Sequence, residues 1–530
     1  MSRPRLTRAL PCWKAHSVAE RLTPTVIAFT LILMVGVFAR TWQFGSLPPG
    51  LFQDEASTGV DAYDLGHYGI DHNGISDPVL LVSFGSGQNA LYAYVLIPFV
   101  YLSLTPLTVR LPMLVSGILS LPLVFIAARK ISNVRFALLA MFFLAISPWH
   151  ILMSRWGLEC NLLPFVFLIG FTCLLYSSPG RGWFAVGCVF MALCLYAYGT
   201  AYLAVPLFLV LAVPILVAYK RVTLRQLLAG GLAFSVVAIP IGLFVLINIF
   251  HLNTLRLGAM TIPRLPVRPR FEDMAAVFGP HPVRDMASNF KATAKLLVKR
   301  SDGLIQNMVK PYGYSYPDAF PLAVLGGLLL IPLGASMQVP ERLSVLFWLV
   351  ASLATGIMEP VNINRLNLIF IPLILCTAAF AAWLYEHLRP LFIVGMCALG
   401  VGFLLFTRDY HGAAYRHKAD STFFTELLPA LRYASETGSN PICVTDQVNM
   451  PYIFALFEDP INPGDYLSTI QYANPQGEFR QVKTLGRYAF GLDNCDASPT
   501  TIYVLASEQP PEGGVGYAVR KFGDYRVYTP

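Results

Sequence analysis

Long apolar runs with very few charges recur from residue 24 to residue 407, and they indicate that lipid surrounds most of the chain. Of the 530 residues, 55% are hydrophobic and only 13% are charged, whereas a soluble domain carries about 25% charged residues. The chain is therefore predicted to be an all-α polytopic membrane protein. Candidate spans lie near residues 24–40, 109–128, 136–153, 162–177, 183–200, 203–219, 227–249, 319–336, 343–358, 366–384 and 391–407.

The N-terminus is basic, with Arg3, Arg5, Arg8 and Lys14 before the first apolar run. It has the order of a signal sequence, but no small-x-small cleavage site follows the run, which ends at Ala39. We therefore expect an uncleaved first transmembrane helix with a cytoplasmic N-terminus.

The apolar stretch 89–106 decides the topology of everything that follows it. If it spanned the membrane, every later basic connection would lie outside, against the positive-inside rule. We therefore predict that 89–106 is a helix along the outer interface, which leaves about eleven spans. The short connections then fall on the cytoplasmic side, namely Arg129-Lys130, Arg181, Lys220-Arg221, Glu341-Arg342 and His387–Arg389.

The tail differs from the rest of the chain. From residue 408 its apolar runs are short and β-branched, as at 442–444 and 501–505, and a helical pattern covers 421–437. This predicts two units, a transmembrane module at 1–407 with outer loops 41–108 and 250–318, and an extracytoplasmic α/β domain at 408–530. Two interpretations of Cys443 and Cys495 stay open, a disulfide in an oxidising compartment or two buried thiols.

Polar residues concentrate on the predicted outer side. Asp54 and Glu55 follow the first span, where a carboxylate at the lipid–water boundary could act as a base. The alternative is an ordinary solvated acidic loop. Arg155 and Glu159 are spaced for a helical ion pair, or Arg155 could hold a phosphate.

Two more clusters lie on the same side. Asn364 and Arg365 suit sugar hydroxyls and phosphate, and equally suit plain helix capping. The long loop 250–318 carries ten basic residues outside, for which an anionic lipid phosphate or a lipid headgroup is the expected partner. They include Lys310, which Tyr312 follows closely. The net charge of +8 reflects this topology and does not predict nucleic-acid binding.

Four features of the sequence together resemble a known family. They are the Asp-Glu of Gln53–Ala56, the Arg155/Glu159 turn, Asn364-Arg365 with Pro372 in the next span, and the soluble outer tail. The chain is similar to the polytopic glycosyltransferases of the GT-C superfamily. Within it, the closer resemblance is to protein mannosyltransferases that use dolichyl-phosphate mannose and to aminoarabinose lipid A transferases.

This resemblance implies a polyprenyl-phosphate sugar donor, a lipid, glycan or protein acceptor hydroxyl outside the cytoplasm, and inversion at the sugar carbon. Asp54 matches the position of the family's catalytic base. Glu55 would orient the acceptor or, with other loop acids, bind a divalent cation. The later His-Pro-Pro or Glu-Lys-Pro motif of the family is absent, and Ser86-Gly87-Gln88-Asn89 stands roughly there. Donor and acceptor contacts are then expected from Gln88, Asn89, Tyr63, Arg155, Glu159, Asn364, Arg365, Lys310 and Tyr312.

Two other functions compete with this interpretation. A lipid or solute transporter, or a flippase component, would place charges at mid-membrane and often shows repeated halves, neither of which is visible. A scaffold whose tail binds a partner leaves the outer polar clusters unexplained. The expected location is a bacterial inner membrane, with a periplasmic C-terminal domain.

Overall fold

A computed structural model of the chain describes residues 13–267, 276–316, 319–331, 338–510 and 516–530, with N-terminal side chains from residue 24 onward. Several basic residues lie outside the described residues, namely Arg3, Arg5, Arg8 and the Lys14 side chain at the N-terminus, and Arg268 and Arg270 of the loop 250–318.

Helices dominate the chain up to residue 436. In order they are α1 (Trp13–Thr41), α2 (Gln53–Tyr68), α3 (Leu91–Val100), α4 (Pro106–Ile131), α5 (Val134–Ile146), α6 (Pro148–Met153), α7 (Glu159–Leu175), α8 (Trp183–Ala197), α9 (Ala201–Ala218), α10 (Leu224–Ile249), α11 (Pro282–Lys299), α12 (Ala319–Leu330), α13 (Val339–Met358), α14 (Phe370–His387), α15 (Arg389–Tyr410), α16 (Ala413–Asp420) and α17 (Leu427–Glu436).

Each predicted span except 136–153 corresponds to one apolar helix. Among the described residues, seven helices are long and apolar enough to cross a bilayer. They correspond to α1, α4, α9, α10, α13, α14 and α15. The remaining predicted spans are shorter apolar helices, α5, α7, α8 and α12; the end of the predicted span 319–336 lies outside the described residues. The prediction of a multi-pass membrane protein is confirmed.

One predicted span is divided in two. The apolar run 136–153 forms α5 and α6, which meet at Ser147. Pro148 is the first residue of α6, where its missing N–H costs nothing, and the Ser147 hydroxyl accepts a hydrogen bond from the His150 N–H at 3.4 Å. The apolar composition of the run did not reveal this break.

The stretch 89–106 contains a short helix. This helix, α3, has 10 residues, and at about 1.5 Å per residue it reaches half the thickness of the hydrocarbon core, a length that agrees with the predicted interfacial helix. It packs against α2 and α4, and the hydroxyl of its buried Tyr92 donates to the Val109 carbonyl oxygen at 2.6 Å.

Salt bridges join the connections that were predicted to lie on one side. The buried Glu341 carboxylate contacts Arg221 at 2.8 Å and Lys130 at 3.8 Å, and Arg135 contacts Glu386 at 3.0 Å. These residues stand beside five different predicted spans. Their contacts place those span ends at the same end of the helix bundle, as the charge pattern predicts.

The tail forms a mixed sheet. Two small strand pairs precede it in the chain, β1 (Leu80–Leu81) with β2 (Gln88–Asn89) and β3 (Leu255–Leu257) with β4 (Met260–Ile262). The strands of the tail are β5 (Ile442–Val444), β6 (Gln471–Tyr472), β7 (Val482–Leu485), β8 (Tyr488–Phe490), β9 (Ile502–Leu505), β10 (Ala518–Phe522) and β11 (Tyr525–Thr529). Their order in the sheet is β10-β11-β9-β5-β8-β7-β6. β5 is parallel to β8 and β9, and the other pairings are antiparallel. Cys443 and Cys495 form a disulfide.

The sheet domain and the first outer loop share one hydrophobic core. Buried residues of α2 and α3 pack with those of α17 and the strands. Gly50 lies where the two segments cross, with φ +61°, and a Cβ there would lie 2.0 Å from the Phe423 carbonyl oxygen. The segment that leads to Asp54 is therefore held directly against the tail.

Candidate active site

A cavity of about 240 Å³ lies at the end of the bundle opposite the Glu341 salt bridges. Six residues that the sequence singled out line it, and they come from four separate segments of the chain. They are Asp54, Gln88, Asn89, Glu159, Asn364 and Arg365.

Asp54 is the second residue of α2. The first turn of a helix favours a negative side chain, because its backbone N–H groups carry partial positive charge. The Thr58 hydroxyl donates to the Asp54 carbonyl oxygen at 2.9 Å and accepts from the Gln88 amide at 3.1 Å. The start of α2 and the β1–β2 pair are thus joined beside the cavity.

Gln88 and Asn89 occupy the place of the missing family motif, and both are tied to other walls of the cavity. The Gln88 amide donates to the Glu159 carboxylate at 2.9 Å, and its carbonyl oxygen accepts from the Ser83 hydroxyl at 3.1 Å. The Asn89 amide donates to the Leu195 carbonyl oxygen at 2.9 Å and to the Tyr202 hydroxyl at 3.3 Å. These bonds connect β2 to α7, α8 and α9.

The turn between α13 and α14 holds its own shape by side-chain hydrogen bonds and also lines the cavity. The Asn362 side chain accepts from the Arg365 N–H at 2.8 Å, a bond within the turn that caps no helix. The Arg365 guanidinium donates to the Pro360 carbonyl oxygen at 2.7 Å while lining the cavity. Asn367 is buried and accepts from the Trp149 indole N–H at 2.8 Å, so it supports the turn from behind.

Two buried polar atoms of cavity-lining residues have no hydrogen-bond partner among the described residues. They are the indole nitrogen of Trp156, which is a donor, and the Oδ1 oxygen of Asn364, which is an acceptor. Buried polar groups are normally satisfied. These two atoms are therefore exceptions in residues that line the cavity, and both are shielded from solvent.

Glu55 does not line the cavity. It is fully buried, and its two carboxylate oxygens each accept from Arg110 at 2.8 Å. One of these oxygens also accepts from the Gly157 N–H at 2.8 Å, and Arg110 donates further to the Pro48 and Gly50 carbonyl oxygens. Glu55 therefore holds the start of α2 against α4 and the turn before α7, in place of the acceptor or metal contact expected from the sequence.

Arg155 also lies away from the cavity lining. Helix α6 ends at Met153 and α7 begins at Glu159, so Arg155 and Glu159 do not share a helix face. The guanidinium of Arg155 donates to the carbonyl oxygens of Arg40, Trp42 and Leu47. The structure gives it neither the predicted pairing with Glu159 nor a position for phosphate in this cavity.

Three further residues from the sequence-based set lie elsewhere. Tyr63 stacks on His67 with 4.0 Å between ring centroids. The Tyr312 hydroxyl donates to the Asp409 carboxylate at 2.7 Å. Lys310 lines a second cavity.

The turn Tyr198–Tyr202 was missed by the sequence analysis, although it contributes several cavity-lining residues. The predicted topology could have identified this turn. A chain that enters the membrane after Arg181 and is back on the same side at Lys220 must turn on the outer side near residue 200. Trp156, Leu304, Gln306 and Glu359 also line the cavity without having been chosen.

A second polar group, Asp61, Asp64, Asp71 and His72, is buried between α2 and the tail. The His72 ring contacts Asp61 at 2.6 Å, and the Tyr466 hydroxyl donates to the His72 carbonyl oxygen at 2.8 Å. Burial and the neighbouring Asp61 raise the pKa of Asp64 to about 8 and that of Asp71 to about 7. Burial opposes the charged form of His72, but Asp61 outweighs it and raises the His72 pKa to about 9.

Asp64→Asn should make the stability of the protein less sensitive to pH. A carboxyl whose folded-state pKa is raised contributes stability at low pH, and this contribution is lost as the pH rises toward 8. Each pKa unit corresponds to about 1.4 kcal/mol. Thermal unfolding in detergent between pH 5 and pH 8 should therefore show a steeper decline for the wild type than for Asp64→Asn. The exposed control Asp465→Asn should follow the wild type, and equal slopes for all three proteins would refute this account.

Among the described residues, no group of three or more His, Cys, Asp or Glu side chains has a geometry that could hold a metal ion. The divalent cation that the sequence left open stays a prediction.

No protein-family profile and no curated protein sequence matches the chain. Solved structures do. ArnT from Cupriavidus metallidurans bound to undecaprenyl phosphate matches with a TM-score of 0.57 at 12% identity, covering 96% of this chain and 98% of ArnT, and ArnT in the apo state matches with a TM-score of 0.54. The apo oligosaccharyltransferase of Archaeoglobus fulgidus matches with a TM-score of 0.50 at 11% identity. The match covers 83% of this chain but only 64% of the oligosaccharyltransferase. The chain therefore shares the fold of ArnT over nearly its whole length.

Proposed function

We propose that this chain is an integral-membrane glycosyltransferase that moves a sugar from a polyprenyl-phosphate carrier to a hydroxyl on the extracytoplasmic side. The observation that carries the proposal is the composition of the 240 Å³ cavity, where a carboxylate at a helix start, several amides and a guanidinium converge. The likeness in fold to ArnT, whose structure contains undecaprenyl phosphate, supports a lipid-phosphate carrier.

In the proposed reaction Asp54 takes the proton of the acceptor hydroxyl as that oxygen attacks C1 of the sugar. The new C1–O bond forms on the face opposite the leaving phosphate, so the configuration at C1 inverts. The bond between C1 and the phosphate oxygen breaks, and polyprenyl phosphate departs with the electron pair. Because phosphate is a good leaving group, one carboxylate suffices, unlike hydrolysis by two carboxylates.

Arg365 lines the same cavity, and its cationic side chain is proposed to stabilise the charge that develops on the departing phosphate. Gln88, Asn89 and Asn364 are proposed to contact sugar hydroxyls. Glu159, fixed by Gln88 at 2.9 Å, would accept from a hydroxyl of the donor or the acceptor.

Arg365→Gln should slow transfer by about 10- to 100-fold, because a hydrogen bond to a charged group contributes about 1.5–3 kcal/mol. Purified protein in nanodiscs would be incubated with a panel of polyprenyl-phosphate monosaccharides and a membrane extract that supplies acceptor. Mass spectrometry would follow the release of polyprenyl phosphate. The control Arg520→Gln changes an exposed cation of the tail sheet and should leave release unchanged.

The rival interpretation is a lipid or solute transporter or a flippase component. A transporter would move the intact sugar lipid across a vesicle membrane without releasing polyprenyl phosphate. Absence of release from every donor, together with movement of the intact donor, would replace the proposed function.

A further inference from the structure

A second cavity, of about 690 Å³, lies at the outer end of α15. Three elements build it: the segment 303–310 of the long outer loop, the last turn of α15, and α16. Hydrogen bonds tie these elements together. The Tyr415 hydroxyl of α16 donates to the Ile305 carbonyl oxygen at 3.3 Å, and the Tyr312 hydroxyl donates to Asp409 of α15 at 2.7 Å.

The charge of this cavity is strongly unbalanced. Among its described lining residues three are cationic, Lys310, Arg408 and Lys418, and one, Asp409, is anionic. Arg408 contacts Asp409 at 2.8 Å, so that pair is largely neutral. Lys310 and Lys418 form no salt bridge within the described parts of the chain, and both are exposed. The lining therefore offers two uncompensated ammonium groups to an anion.

The remaining lining and the surroundings of the cavity are apolar. Ile305, Met308 and Val309 contribute aliphatic walls. Just before Arg408, α15 exposes Leu404 and Leu405, and only 6% of its span window is buried inside the protein. An anion bound here would thus lie beside a helix surface that faces acyl chains, which favours a lipid headgroup over a soluble anion.

The donor carrier is a poor occupant, because the segment 303–310 separates the two cavities. Leu304 and Gln306 line the Asp54 cavity, Gly303 and Ile305 line the second one, and the two share no lining residue among those described. A carrier phosphate in the second cavity would stand behind this wall, away from the base that its sugar must reach.

We propose that the second cavity binds the phosphate of an anionic glycerophospholipid, with Lys310 and Lys418 as its ligands and the lipid chains along α15. This binding does not depend on sugar transfer. It accounts for one cation of the outer loop, Lys310, and one at the start of the tail, Lys418, which the positive-inside rule alone leaves unexplained.

The test compares Lys310→Gln/Lys418→Gln with Lys483→Gln/Lys521→Gln, an equal loss of charge on the tail sheet. Delipidated full-length protein would be titrated with phosphatidylglycerol in detergent, and native mass spectrometry would count the bound lipid. We expect the first variant to bind about 10-fold more weakly or worse, the effect of losing charge-assisted hydrogen bonds. The control and Lys310→Arg/Lys418→Arg, which keeps the charge, should bind like the wild type.

Three outcomes would overturn the proposal. Equal binding by the glutamine variant and the control would mean that the lipid binds elsewhere. Displacement of the lipid by inorganic phosphate at equal concentration would make this a free-phosphate site, and preferential displacement by polyprenyl phosphate would make it a carrier site. Asp54→Asn should keep wild-type lipid binding, so failure of the sugar-transfer proposal would be seen separately.

Discussion

Asp54→Asn should reduce sugar transfer by about 100- to 10,000-fold, the range that a positioned general base contributes. Asparagine preserves the size of the side chain and its place in the first turn of α2, but it cannot take the acceptor proton. The measurement is the release of polyprenyl phosphate by purified protein in nanodiscs, with donor binding determined in parallel. Donor binding should survive the substitution, because the proposed role of Asp54 concerns the acceptor proton.

The matched control is Asp465→Asn, the same chemical change at an exposed position of the tail. It should transfer sugar like the wild type. If Asp54→Asn is folded, binds donor and releases polyprenyl phosphate at the wild-type rate, Asp54 is not the base, although the glycosyltransferase function would stand. If it loses donor binding as well, Asp54 would instead be a donor ligand.

Glu55→Gln should destabilise the protein by about 3–5 kcal/mol, because it leaves the buried Arg110 guanidinium without its counter-ion. Both residues of this pair are fully buried, and their contacts are 2.8 Å long. Thermal unfolding in detergent should show a large decrease in midpoint. Transfer per folded molecule should fall less than in Asp54→Asn, since Glu55 does not line the cavity.

The control for this prediction is Glu386→Gln, which breaks the exposed pair with Arg135. Surface pairs contribute about 0–1 kcal/mol, so its unfolding midpoint should change little. A Glu55→Gln protein with wild-type stability but no transfer would return Glu55 to the catalytic role implied by the family resemblance.

The topology could be predicted from the sequence because lipid imposes simple rules. Apolar runs must form helices, and basic connections must gather on one side. Lys130, Arg221 and Glu341 were predicted to lie on one side of the membrane, and they are in contact. The treatment of 89–106 decides only which side that is, through the positive-inside rule.

Individual side-chain roles were harder to predict, because they depend on partners distant in the chain. Glu55 and Arg110 are 55 residues apart, and nothing in the Asp-Glu pair distinguishes the residue that faces the cavity from the one that is buried. Arg155 looked like a phosphate ligand because its side chain is suited to that role. Three carbonyl oxygens from the end of α1 and the segment after it use its donors instead.

The sequence by itself determined the membrane architecture, the face that carries the polar clusters, and Asp54 as the candidate base. These features follow from local composition, charge and one short motif, none of which depends on tertiary contacts. Only the tertiary structure decided which polar residues share a cavity. It grouped Asp54 with Gln88, Glu159 and Arg365, and it directed Glu55 and Arg155 into structural contacts. Hydrogen bonding and ion pairing in a buried environment depend on distance in space, and a sequence specifies that distance only through the complete fold.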